Sequence, residues 1–223
     1  MLDAILKIIF PPRCAFCNSI LSTEPIEGIC EGCYKRIPFF VCDSLYINTP
    51  GQSIYYDRVI CACEYSGIIK QTLMKYKYFN KPSYYRAFAA MLSNRLKNVT
   101  NCRNFDIIIG VPLYKGREKD RGYNQARLIS KALSKKMLIP DKSWLLSRVR
   151  DTGNQSLLTK KQRSINIRDA FKVNDASRVK GRSIILIDDI FTTGNTVNEC
   201  SRVLKEAGAL SVVVCVIASG RKY

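Results

Sequence analysis

Two adjacent carboxylates, Asp188 and Asp189, end an apolar run and are followed by a loop of hydroxyls and glycine: Thr192, Thr193, Gly194, Asn195 and Thr196. An ionised carboxylate only accepts hydrogen bonds, so the pair suits two neighbouring hydroxyls of a ribose. The loop supplies hydroxyl donors, a glycine that lets a ligand approach the backbone, and the free N–H groups of a helix start. These make an anion cradle that needs no lysine. Together the two parts describe a ribose 5-phosphate. The plainer alternative is that Asp-Asp merely closes a strand and that the Thr/Gly/Asn loop is a helix cap.

A second chemical feature is the cysteine pattern Cys14-x2-Cys17 and Cys30-x2-Cys33, two knuckles separated by 12 residues. Each knuckle can give two thiolates to one tetrahedral ion, and structural Zn²⁺ is the expected metal. Iron on the same four ligands, or a redox pair, stays open. A ribbon of this size has little to bury, so the ion would be its core. Cys42, Cys61, Cys63, Cys102, Cys200 and Cys215 read as small core or surface residues.

A third is the stretch at residues 75–86, KYKYFNKPSYYR, which interleaves cations with aromatics. Lys75, Lys77, Tyr84 and Tyr85 are its candidates for attracting and stacking single-stranded nucleic acid. The competing reading buries Tyr76, Phe79, Tyr84 and Tyr85 between adjoining helices. No RRM, KH or helix-turn-helix signature accompanies the stretch, so readout of base sequence is not expected.

Composition narrows the chemistry. The 223 residues contain no histidine, which excludes Ser-His and Cys-His nucleophiles, HExxH zinc chemistry and imidazole bases. Neither GxxxxGK[ST] nor GxGxxG occurs, so a P-loop or a dinucleotide fold lacks its signature. The formal charge of +18 calls for anionic partners: phosphorylated metabolites, nucleic acid or an acidic membrane surface. No signal peptide is read at the N-terminus, and no apolar run approaches the roughly 18 residues of a membrane span. A cytoplasmic protein without membrane insertion is expected, with its ten cysteines reduced.

The elements that must position these groups alternate. Residues 2–9 suit a short amphipathic helix, the cysteine-rich segment follows, and NTPGQ at 48–52 reads as a linker. Domains at 1–47 and 48–223 are the expectation. A strand is read at 59–65, helices at 68–78 and 84–96, a strand at 106–111 closed by Pro112, and a helix at 122–137. The same order repeats with a strand at 183–187, a helix at 196–207 closed by Gly208, and a strand at 211–217. This is the grammar of an α/β fold: a mostly parallel sheet with helices on both faces, plus the four-cysteine module. Ligands of such sheets sit beyond the carboxyl ends of the strands, where Asp188 and Asp189 stand.

At ILIDDIFTTGNT, residues 185–196, the chain resembles the type I phosphoribosyltransferases, whose motif is an apolar strand, two acidic residues and a TG-x-T loop. With RGYNQA at 121–126, NQSLLTKKQRSINIRDAF at 154–171 and the four cysteines in front, it is similar along nearly its whole length to the ComF family of competence-associated proteins. That resemblance implies a phosphoribosyltransferase fold behind a zinc-ribbon-like module, and an association with DNA uptake and other competence proteins. It implies phosphoribosyl pyrophosphate with Mg²⁺ as ligand, the metal held mostly by pyrophosphate oxygens and water. It also implies that the loop at 112–121 faces the pyrophosphate through Lys115, Arg117, Lys119 and Arg121, and that 148–168 forms a flap. Transfer from such a donor develops an oxocarbenium-like centre, so positioning and cations suffice and imidazole is not required. The acceptor is not legible. Single-stranded DNA binding without catalysis is the rival reading.

Overall fold

The structure is a computed structural model that describes residues 10–22, 26–41, 53–151 and 167–220. The expected helix at 2–9, the linker at 48–52, Cys42 and most of the flap at 148–168 lie outside these residues. In chain order the regular elements are α1 (Glu31–Tyr34), β1 (Arg58–Glu64), α2 (Gly67–Tyr78), α3 (Tyr84–Val99), β2 (Ile107–Gly110), α4 (Lys115–Arg121) and α5 (Gln125–Met137). They continue with β3 (Leu146–Arg148), β4 (Phe171–Val173), β5 (Ser183–Phe191), α6 (Asn195–Glu206) and β6 (Ser211–Ser219).

Four strands form a parallel sheet in the order β1-β6-β5-β2. Their β-branched runs are buried on both faces, as parallel strands between helical layers must be. One face carries Ile60, Ile108, Ile185, Ile187 and Ile217, packed against Leu73 of α2, Phe88 and Leu92 of α3 and Ile129 and Leu133 of α5. The other carries Val59, Ile109, Leu186, Val214 and Val216, packed against Val197, Cys200 and Leu204 of α6 and against Leu146 and Phe171 of the antiparallel β3–β4 ribbon. The expected fold class is found, with helices on both faces.

The four-cysteine module is docked, not pendant. Cys14, Ile26, Ile29, Cys33 and Ile37 are buried in the same core as Tyr84, Ala87 and Phe88 of α3. Its last described residues cover the β1 edge: Phe40 N–H donates to Ala62 O at 3.0 Å and Glu64 N–H donates to Pro38 O at 2.8 Å. That cover occupies the end of the edge strand from Ala62 to Glu64. The expected boundary near residue 47 falls outside the described residues.

Two sequence expectations shift. The segment at 112–121 is not a loop throughout, because its last seven residues form α4, closed by Gly122 at φ +82°. The helix expected from residue 122 therefore starts at Gln125. Asn124 caps it, its Oδ1 accepting the Arg127 N–H and its Nδ2 donating to Val111 O, both at 3.1 Å. That second bond ties the end of β2 to the start of α5. Gly110 allows the approach, since a Cβ there would lie 2.9 Å from the Ala126 and Arg127 backbone.

Candidate functional site

β5 does not end at Ile187 but runs through both carboxylates to Phe191. Successive strand residues face opposite sides. Asp189 continues the side of Ile185 and Ile187, toward α2, and Asp188 the side of Ile184 and Leu186, toward α6. β2 stops earlier: Val111 N–H donates to Ile187 O at 2.9 Å, the last ladder bond on that side, whereas β6 remains paired to Phe191. Both aspartates thus sit where the sheet narrows at its carboxyl end.

Each has its own surroundings. Lys77 Nζ of α2 lies 3.0 Å from Asp189 Oδ1, with the two side chains 21% and 11% exposed. Asp188 Oδ1 accepts the Asp189 N–H at 2.9 Å. Burial pushes the Asp188 carboxyl up to about 7 and the adjacent Asp189 adds to this, while Lys77, the Asp189 N–H and Arg148 pull against it. Burial draws the Lys77 ammonium down, yet Asp189 and its hydrogen bond more than offset that, leaving Lys77 above its ordinary value. Arg148, from the sheet-like β3 and not from a flap, is held below its ordinary value by burial and then by Arg117, with its guanidinium 5.5 Å over the Phe171 ring.

The loop after β5 is built around Gly194. Its φ is +82°, and a Cβ would lie 2.6 Å from Phe191 Cζ, so only glycine fits. α6 starts from it, and the Gly194 cap supplies no side-chain hydrogen bond. Asn195 N–H reaches Thr193 Oγ1 at 3.5 Å, and a small cavity is lined by Asp188, Thr192, Thr193, Gly194, Asn195 and Thr196.

A wider cavity of about 700 Å³ lies between α2 and α4, lined by Lys77, Arg117, Lys119, Asp120 and Arg121 among others. Three of the four cations expected from the segment 112–121 therefore converge; Lys115 is exposed and does not line the cavity. Their positions are supported: Arg117 pairs with Asp151 at 3.3 Å, and Arg121 donates to Gln125 Oε1 at 2.8 Å while stacking over Tyr78. Lys77, expected among nucleic-acid contacts, instead joins this cavity to Asp189. Sequence reasoning missed that role, and missed the electrostatic pull of Arg148 on Asp188, because both depend on which distant elements share a core with β5.

The aromatic half of the 75–86 stretch is split by burial. Tyr84 is only 7% exposed, its ring against Phe16 and Phe88, and Tyr76 is fully buried, so neither is open to a base. The stacking role expected for Tyr84 is thereby corrected: α3 turns that residue into the core. Tyr85 is half-buried beside Arg86, while Tyr78 and Phe79 are exposed. Lys75 lines another cavity of about 700 Å³, with Arg13, Lys81 and Arg86, against the four-cysteine module.

In that module the Sγ atoms of Cys14, Cys17, Cys30 and Cys33 all lie within 4.8 Å of one another. Four thiolates about 2.3 Å from one tetrahedral Zn²⁺ stand about 3.8 Å apart, and Cys17 and Cys30 are at 3.7 Å. Backbone N–H groups already point at sulfur: Cys30 N–H to Cys14 Sγ and Cys33 N–H to Cys30 Sγ, each at 3.4 Å. Ser19 Oγ, 3.0 Å from Cys17 Sγ, and the Ser19 backbone lower the Cys17 thiol to about 6. The cluster fits a closed four-thiolate metal centre.

These features, an α/β sheet with two carboxylates at a strand end and a glycine turn opening a helix, define a phosphoribosyltransferase-type domain. Residues 77–223 match the phosphoribosyl transferase domain family, to which the chain belongs. Relatives over the whole length place it more narrowly, in the ComF family of competence proteins. Competence protein F of Haemophilus influenzae is 30% identical over 91% of this chain and 94% of its own. Competence protein ComFC of Bacillus subtilis is 30% identical over 93% and 78%, and the Escherichia coli K12 DNA utilization protein YhgH is 28% identical over 90% and 87%. Among solved structures, the glutamine phosphoribosylpyrophosphate amidotransferase of B. subtilis aligns with 64% of this chain and 30% of its own, at 20% identity and a TM-score of 0.45. No described helix is long and apolar enough to cross a membrane.

Proposed function

We propose that the chain binds 5-phosphoribosyl 1-pyrophosphate with Mg²⁺ and transfers the phosphoribosyl group to an acceptor. The observation that carries this reading is the juxtaposition, at the end of β5, of the Thr192–Thr196 loop, Asp188 with Asp189, and the cation-lined cavity of Lys77, Arg117, Lys119 and Arg121. The loop amides and hydroxyls would take the 5-phosphate, the carboxylates the ribose hydroxyls, and the cations the pyrophosphate. As pyrophosphate leaves, positive charge grows on the ribose beside Asp188 and Asp189 while negative charge grows among the cations. Both ends are stabilised by groups already in place. Among the described residues the cavity lining is cationic with Asp120 its one acid, so Mg²⁺ would arrive on pyrophosphate oxygens and water, where it shields the leaving charge. Zn²⁺ would be held by Cys14, Cys17, Cys30 and Cys33 and serve the fold, not the reaction. Thiolate ligands require reduced cysteines, which supports a cytoplasmic location. Titration calorimetry of phosphoribosyl pyrophosphate with Mg²⁺ tests the binding, and pyrophosphate release across a panel of nucleobases and amines tests the transfer. Absence of binding heat at millimolar donor would overturn the reading.

A second activity, handling single-stranded DNA during uptake alongside other competence proteins, is favoured by one observation. The cavity between the module and α3 gathers Arg13, Lys75, Lys81 and Arg86, and exposed Phe79 stands near Lys75 and Lys81 on the neighbouring surface. Cations for the backbone and a free ring for a base are what such a strand needs.

A further inference from the structure

We propose that Lys77 is an exchangeable counter-ion: it neutralises Asp189 in the free protein and moves to the pyrophosphate when donor binds, making the site selective for donors that carry that second anion. The inference rests on the donor-binding reading above and adds a device to it. Lys77 meets both requirements of such a switch. Its ammonium lies 3.0 Å from Asp189, and its side chain also lines the cavity that holds Arg117, Lys119 and Arg121. It projects from the last turn of α2, where Tyr76 is fixed in the core through its hydroxyl to Gln125 O at 3.0 Å, so the helix stays while the side chain moves. A four-carbon stem ending in a compact charge with three donors can change partner without moving backbone.

The exchange has a definite cost and compensation. Breaking a largely buried pair strands both charges. A ligand offering only ribose hydroxyls and a 5-phosphate would give Asp189 new donors and leave Lys77 without an anion. Phosphoribosyl pyrophosphate supplies partners for both at once. The pair thus penalises ribose 5-phosphate, the product of donor hydrolysis, and spares the intact donor.

The test compares wild type, Lys77→Gln and Lys77→Arg as full-length, metal-loaded protein, with titration calorimetry of ribose 5-phosphate, of Mg²⁺-pyrophosphate and of phosphoribosyl pyrophosphate with Mg²⁺. Exchange predicts that Lys77→Gln weakens the donor and pyrophosphate at least ten-fold while ribose 5-phosphate binds unchanged or tighter. Lys77→Arg should keep most of the donor preference. Equal weakening of all three ligands would mean that the pair is structural and would overturn the proposal. So would a Lys77→Gln donor affinity equal to wild type. Wild type that binds none of the three ligands would instead remove the donor reading itself, so the two failures are distinguishable. Should Lys77→Gln not fold, loss of donor preference in Lys77→Arg at wild-type melting temperature would contradict the exchange, and its retention would support it.

Discussion

At the residue scale the site turns on Asp188. Its folded value near 7 lies above that of a free carboxyl, so near pH 6 it is largely protonated. A ribose hydroxyl that donates to it favours the ionised form, so binding releases a proton and affinity should rise as pH climbs through about 7. Calorimetry at pH 6, 7 and 8 in buffers of different ionisation heat should show this release, and Asp188→Asn should abolish that component and weaken the donor by about 1.5–3 kcal/mol. A pH dependence identical in Asp188→Asn would assign the proton to the ligand phosphates instead. Gly194 is the second residue under constraint. Alanine there meets both a left-handed backbone and the Phe191 ring, so Gly194→Ala should lose roughly 1–3 kcal/mol in urea unfolding and also bind ribose 5-phosphate more weakly. Stability equal to wild type would show that the loop does not need the conformation described.

At the element scale, the start of α5 decides how the cavity is framed. Asn124 both caps that helix and holds Val111 O, and Tyr123 reaches back from the same turn to Tyr76 O on α2. Asn124→Ala should therefore cost about 1–2 kcal/mol, the upper part of the range for a lost cap, because a buried carbonyl loses its donor as well. Chemical denaturation would measure it, and a change below a few tenths would mean that water replaces the amide. The module is the other element with its own bookkeeping. Cys14→Ser with Cys17→Ser should release about one equivalent of metal by elemental analysis. Because Cys14 and Ile29 share a core with Phe88, the melting temperature of the whole chain should fall, and not only the signal of an independent ribbon. Wild-type protein purified without zinc or iron would contradict the metal centre.

At the scale of the molecule the excess of cations should show in salt dependence. If the cavity beside the module takes single-stranded DNA, oligo-dT affinity should fall steeply with salt and show little sequence preference. Lys75→Gln with Lys81→Gln should flatten that slope, whereas Phe79→Ala should lower affinity and leave the slope alone. Binding that excess phosphoribosyl pyrophosphate abolishes would place DNA in the donor cavity, and no binding near physiological salt would remove this activity.

Much was determined by the chain alone, because it rests on local pattern. The buried runs at 106–111 and 183–187 read as strands on their composition, and the acid pair followed by TTGNT marks a turn into a helix. The 2-residue gaps within Cys14-x2-Cys17 and Cys30-x2-Cys33 bring thiolates together wherever the module sits. What the tertiary structure alone decided is which distant groups meet. Lys77 reaches Asp189 because the end of α2 shares the core of the β5 face that carries Ile185 and Ile187, and Arg148 acts electrostatically on Asp188 because the β3–β4 ribbon belongs to the opposite core. Tyr84 is withdrawn from solvent because Phe16 of the module packs against it on α3. Periodicity reports that a residue has a buried face, but not what lies across it; that is settled only when helices and strands far apart in the chain share one core.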